Sequence, residues 1–160
     1  MHPTKNDLPE RTRTGVVDLL APHVASAIDL MLQAKHAHWN VKGPNFIALH
    51  ELFDKVAATA QKHADGLAER IAQLGGRPSG LVKQVAAHSK LPSMREDLVL
   101  GRDHVEAVAS ALAAFGAGVR RDIDKATELG DADTADLLTE VSRETDENLW
   151  FVEAHNQAEA

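Results

Sequence analysis

The sequence predicts an all-α protein: a four-helix bundle with a short helix in the connector between the second and third helices. Three observations predict it. Apolar residues recur at three- and four-residue steps through four long stretches, the period of an amphipathic helix. Alanine is abundant, aromatics are only 4% of the chain and there is no Tyr, a composition that favours helix over strand. Gly and Pro punctuate the chain between the stretches, at Gly43-Pro44, Gly75-Gly76, Pro92 and Gly130. No strand pattern, repeat or low-complexity tract interrupts the series.

Residues 1–12 are polar, carry Pro3 and Pro9, and read as a mobile N-terminal tail; residues 13–157 read as one domain. The first helix is expected from about Arg13 to Asn40, with Val16, Leu19, Leu20, Val24, Ala27, Ile28, Met31 and Leu32 as its apolar set. Pro22 inside this run predicts a kink or a late start. The second helix begins near Asn45, is lined by Phe46, Leu49, Phe53, Val56, Leu67, Ile71 and Leu74, and stops at Gly75-Gly76 with a left-handed cap. Arg77 to Pro92 is a connector whose GLVKQVAAHSK holds a short helix. Ser93 as N-cap with Glu96 three residues on is a capping box, so the third helix is expected to start there. It carries Leu98, Val105, Val108, Leu112, Phe115, Val119 and Ile123 and ends near Gly130. The fourth starts near Thr134 and carries Leu137, Leu138, Val141, Leu149, Trp150 and Val152.

Bulk properties narrow the function. A chain of 160 residues suits one compact domain. The absence of Cys excludes disulfides, thiolate metal sites and thiol nucleophiles. The N-terminus has no apolar core of a secretory signal, and no apolar run is read as a membrane span, so a soluble cytoplasmic protein is expected. A net charge of −7 argues against a surface that coats nucleic acid generally.

One constellation carries chemistry. His50, Asp54, Asp65 and Glu69 lie along the second helix. At about 100° per residue all four fall within an arc of roughly 100°. The rise of about 1.5 Å per residue nevertheless separates Asp54 from Asp65 by roughly 16 Å. Metal–ligand bonds span only about 2.0–2.6 Å, so the two pairs cannot hold one ion in a single straight helix. Two such helices crossing antiparallel can, and the spacing points to a metal site that exists only in an oligomer. His38, at the end of the first helix, is expected to lie beside the start of the second. Two imidazoles and three carboxylates form a mixed N/O shell suited to Fe(II), Mn(II) or Zn(II). The plainer alternative is that His and Asp four apart are a solvated pair. The remaining histidines are expected at the surface or satisfied in the core. Asp122/Asp124 and Asp131/Asp133/Asp136 are expected as a solvated face and a helix start. The chain contains no Glu-x-x-His, so a di-iron site within one bundle is not expected.

The segment KHAHWNVKGPNFIALHELFDKVAATAQKHADGLAERIAQLGG resembles the signature of the Dps (DNA-protection-during-starvation) proteins, a branch of the ferritin superfamily. The later DADTADLLTEVSRETDENLWFVEAH resembles that family's last helix. The likeness runs from about residue 13 to 155. It implies a ferritin-like four-helix subunit, a hollow homododecamer and ferroxidase sites at two-fold interfaces. His38, His50 and Asp54 match the ligands from one subunit, and Asp65 and Glu69 those from its partner. The implied substrates are Fe(II) with hydrogen peroxide or dioxygen, with Zn or Mn as substitute metals. Trp39 matches the tryptophan beside the site, as an electron donor or as interface packing. Asp133 and Asp136 match the acidic pore through which Fe(II) enters. Some members bind DNA through lysine-rich tails. Here the candidates are Lys5, Arg11 and Arg13, opposed by Asp7 and Glu10, a net of only +1 over residues 1–13. The alternative function is a nucleoid-binding, DNA-compacting protein whose metal sites are structural.

Overall fold

A computed structural model describes residues 1–157 of the chain as five helices. These are α1 (Glu10–Asn40), α2 (Phe46–Gln73), α3 (Val82–His88), α4 (Gly101–Glu128) and α5 (Ala132–Gln157). Among the described residues there is no strand, only a bridge in which Lys42 N–H donates to the Val99 carbonyl at 3.1 Å. The long helices form two antiparallel hairpins, α1 with α2 and α4 with α5. The hairpins are stacked so that α1 runs antiparallel to α4: His23 meets Asp122, and Lys42 meets Val99. The connector must therefore travel the length of the bundle, and α3 packs on α1 along the way.

Local chemistry explains the ends. Gly43 takes φ 122° in the turn between α1 and α2, a conformation that costs a side-chain-bearing residue. Gly75, at φ 84°, closes α2 with two bonds: Gly75 N–H to the Ala72 carbonyl at 2.9 Å and Gly76 N–H to Ile71 at 2.8 Å. A Cβ on Gly75 would meet the His2 carbonyl oxygen at 2.6 Å, so the residue is needed for close approach as well. Asp131 then opens α5: its Oδ1 accepts the Thr134 N–H at 3.1 Å, an N-cap, and its Oδ2 the Thr134 hydroxyl at 2.6 Å.

The core is made of layers of Leu, Val and Phe, including Leu20, Leu30, Phe53, Leu67, Phe115 and Leu138, separated by buried alanines that let the helices approach. Several expectations are corrected. α1 begins at Glu10, and runs unbroken through Pro22. Residues 93–100 are not helical despite the Ser93/Glu96 pattern; Arg95 pairs instead with Asp97 at 2.7 Å, and the backbone is still travelling toward Lys42. α5 starts at Ala132, ahead of Thr134. α1 is in fact long and apolar enough by composition to cross a membrane, although its apolar stripe, Val16 to Ala37, faces the bundle core.

Candidate metal centre

The turn at Gly43-Pro44 folds the first turns of α2 back on the last turn of α1, which sets His50 against His38. The two rings stack with centroids 3.7 Å apart and planes 20° apart. Each ring is fixed by the other's backbone. His38 Nδ1–H donates to the His50 carbonyl at 2.7 Å, and His50 Nδ1–H donates to the His38 carbonyl at 2.8 Å. A carbonyl only accepts, so Nδ1 of each ring carries a proton, and in the neutral tautomer this fixes, Nε2 is the nitrogen with the lone pair. Backbone bonds of this kind orient metal-binding histidines and settle their tautomer.

Asp54 lies one turn beyond His50 and is exposed. Lys35 Nζ, from α1, reaches its Oδ1 at 2.6 Å. The hydrogen bond from this ammonium, helped by its charge, holds the Asp54 carboxyl below the usual carboxylate range. The carboxylate is thus kept neutralised by the Lys35 ammonium. Lys35 also lies 5.9 Å from the centroid of the Trp39 ring, which is 64% exposed.

Asp65 and Glu69 stand exposed one turn apart, far down α2, and neither is drawn into an ion pair among the described residues. Asp65 borders an open groove of about 860 Å³ between α1 and α2, whose apolar floor includes Ile28, Met31, Ala64 and Ala68. Among the described residues no three His, Asp or Glu side chains converge on one point. One chain therefore presents two separate groups, His38/His50/Asp54 where α1 meets α2 and Asp65/Glu69 farther along α2.

Asp133 and Asp136 are both exposed at the start of α5. Asp133 Oδ2 is 3.9 Å from Arg70, whose guanidinium is committed to buried Asp131 at 2.7 Å. Asp131 thus stands at a helix start as expected, but buried, with Arg70 as its partner. Of the basic N-terminal residues, Lys5 and Arg11 are exposed. Arg13 is not free: its guanidinium donates to the carbonyls of Leu8 and Leu74, both at 3.1 Å.

Sequence reasoning missed three polar pairs in which at least one partner is buried. Asp122, expected on a solvated face, is 3% exposed and accepts from His23 Nε2–H at 2.8 Å. His63 Nε2–H donates to Glu144 at 2.8 Å. Arg70 binds Asp131. Each joins residues at least 61 positions apart, so no local spacing signals them.

The ferritin-like domain family matches residues 17–159. The chain is 43% identical over 156 residues to the DNA protection during starvation protein of Agrobacterium fabrum, covering 98% of this chain and 96% of that one. It is 38% identical over 151 residues to the protein of the same name from Mycolicibacterium smegmatis, covering 92% and 80%. Among solved structures, Mycobacterium smegmatis Dps superposes with a TM-score of 0.89 at 33% identity, covering 97% of this chain and 88% of that one. Dps from Microbacterium arborescens in the high iron form gives 0.86 at 33% identity, covering 92% and 95%.

Proposed function

This chain belongs to the Dps proteins, a branch of the ferritin-like family, and we propose that it is a mini-ferritin that oxidises Fe(II), preferably with hydrogen peroxide, and stores the ferric product in a hollow homododecamer. The observation that carries this reading is the pair of half-sites. His38 and His50 offer two preset Nε2 lone pairs beside Asp54. Asp65 and Glu69, farther along α2, offer two carboxylates with no ion-pair partner among the described residues, beside an apolar groove fit to seat a second copy. Crossing two α2 helices antiparallel about a two-fold axis brings one half-site of each type together. Such a shell binds Fe(II), and it accepts Zn(II) or Mn(II) as substitutes.

The protein's own groups do the following. The imidazoles and carboxylates hold Fe(II) and leave positions open for the oxidant. Lys35 neutralises Asp54 before metal arrives and is displaced by the incoming cation. Asp133 and Asp136 form the lip of an entry pore that concentrates cations. Two Fe(II) each give one electron to one hydrogen peroxide; its O–O bond breaks and the oxygens leave as hydroxide. Iron and peroxide are consumed together, which denies them to hydroxyl-radical chemistry, and DNA is protected by that removal. The setting is cytoplasmic.

Coating of DNA is the weaker reading. The chain carries −7, and Arg13 is tied to backbone carbonyls, leaving Lys5 and Arg11 as the tail's exposed cations.

The test adds Fe(II) anaerobically, then peroxide, and follows iron through a sizing column. Iron is expected to co-elute with a shell of about twelve chains, at many ions per chain. The double variant Asp65→Ala/Glu69→Ala is expected to lose most of its peroxide-driven oxidation. Oxidation at the parental rate in that variant would remove the site assignment, and iron that precipitates would remove storage.

A further inference from the structure

Where the N-terminal half of α1 crosses the C-terminal half of α4, the surface carries a partly open cavity of about 290 Å³, bounded on one side by the connector. It is remote in sequence and in helix pairing from the half-sites, which lie on α1 and α2. One part of its wall is apolar, with Leu91 and Phe115. The other is polar, with His23, Ser26, Lys90 and Arg121.

The polar part is held in place from behind. Asp122 is 3% exposed and accepts from His23 Nε2–H at 2.8 Å, from Arg121 Nε at 2.9 Å and from Lys125 Nζ at 2.8 Å. Burial raises its carboxyl pKa, but the hydrogen bonds from Arg121, Lys125 and His23 outweigh that and keep it ionised. An ionised Asp122 retains the proton on His23 Nε2 and leaves Nδ1 without a partner among the described residues. Ser26 Oγ accepts the Lys90 N–H at 3.1 Å, and its own hydroxyl proton has no acceptor among the described residues. Lys90 makes no ion pair among those residues either. Two cations, Arg121 and Lys125, pair with this one carboxylate, and Lys90 lines the same pocket as a third. That local excess is unusual in a chain of net charge −7 and it calls for an anion.

Size and lining narrow the anion. The volume is at the small end of ligand cavities, room for roughly ten non-hydrogen atoms. A bare inorganic anion would leave the Phe115 and Leu91 wall unused.

We propose that this cavity binds a small organic carboxylate with an apolar body. The carboxylate takes the free guanidinium donors of Arg121, the Ser26 hydroxyl and the Lys90 ammonium. The body packs on Phe115 and Leu91. Nε and one Nη2 donor of Arg121 are already taken by Asp122 at 2.9 and 3.2 Å, so the ligand carboxylate meets the other edge of the guanidinium, Nη1 with the remaining Nη2 donor. His23, anchored through Asp122, keeps its second ring nitrogen available to a ligand hydroxyl.

The experiment titrates the assembled, iron-free protein with benzoate, acetate and inorganic phosphate by calorimetry. Saturable benzoate binding is expected, with acetate and phosphate weaker. Arg121→Gln is expected to weaken benzoate about tenfold, the scale of losing a charge-assisted pair. Because Arg121 also touches Asp122, Ala114→Leu is the second variant: it narrows the cavity, leaves the charged cluster intact, and is also expected to weaken benzoate. Absence of saturable benzoate binding overturns the proposal. So does benzoate binding that neither variant changes, and so does phosphate binding as tightly as benzoate.

Discussion

His38 and His50 each give one ring nitrogen to the other's backbone carbonyl, and this mutual grip decides what the residues can do. With Nδ1 occupied, the remaining nitrogen of each ring is a ready acceptor, so a metal meets no tautomer change on arrival. Asp54 is in the opposite condition, because Lys35 already holds it at 2.6 Å. At the proposed site, metal and Lys35 compete for the same oxygen. Lys35→Met is therefore expected to tighten Zn(II) or Fe(II) binding a few-fold, measured by anaerobic calorimetry. Unchanged or weaker binding would show that Lys35 orders the carboxylate rather than blocking it. Trp39, exposed beside His38, is available both to a contact with a second copy and to oxidation near the site.

At the scale of the elements, the junction between α4 and α5 is held by one residue doing two things. Asp131 caps α5 through Thr134 and receives Arg70 from α2, so it ties the end of the first hairpin to the start of another helix of the bundle. It is 2% exposed, which makes removal costly: Arg70 is left without its partner and α5 loses its cap. Asp131→Ala is expected to destabilise the chain by about 2–4 kcal/mol, a cap plus a broken, largely buried pair. A denaturation midpoint shift well below that range would mean that Arg70 finds Asp133 as a substitute. The same element bears on the proposed entry pore: Arg70 stands 3.9 Å from Asp133 and offsets its charge, which leaves Asp136 as the stronger of the two proposed pore carboxylates.

Across the whole molecule, buried histidines set the response to acid. Burial pushes the pKa of His23 below 6.5, against the opposing pull of Asp122, and burial does the same for His104. The unfolded chain therefore binds more protons than the folded one once the pH falls below the ordinary value. Stability from these groups is complete above 6.5 and is lost as pH falls from there toward the lower folded values. Asp122 acts in the same direction lower down: its contribution is present above 3.8 and declines below it. Thermal melts are expected to move down between about pH 7.5 and about pH 5.5, and His23→Gln is expected to flatten that dependence. An unchanged slope in this variant would assign the acid sensitivity elsewhere. Net charge is the other global property. In a mobility-shift assay the protein is expected to retard DNA only at low salt, if at all, because a tail with two exposed cations releases few counterions per chain. Retardation that persists at physiological salt would restore DNA compaction as a main role.

Periodicity alone was enough to read four long helices, because a helix that buries one face must repeat its apolar residues every three or four positions. The stop at Gly75 and the short helix in the connector were equally legible, since both depend on neighbours in the chain. So was the division of the candidate ligands into two halves: helix rise separates Asp54 from Asp65 whatever the tertiary structure does. Local pattern failed at Ser93 and Glu96, where a good capping box is left outside any helix. There the connector is constrained from outside, by the need to span the bundle and meet Lys42. The stacking of His38 on His50, the hold of Lys35 on Asp54, and the burial of Asp122 and Asp131 were decided only by the tertiary structure. Each depends on two helices arriving at one place, and a linear pattern records what a residue is next to in the chain, not what the folded chain brings against it.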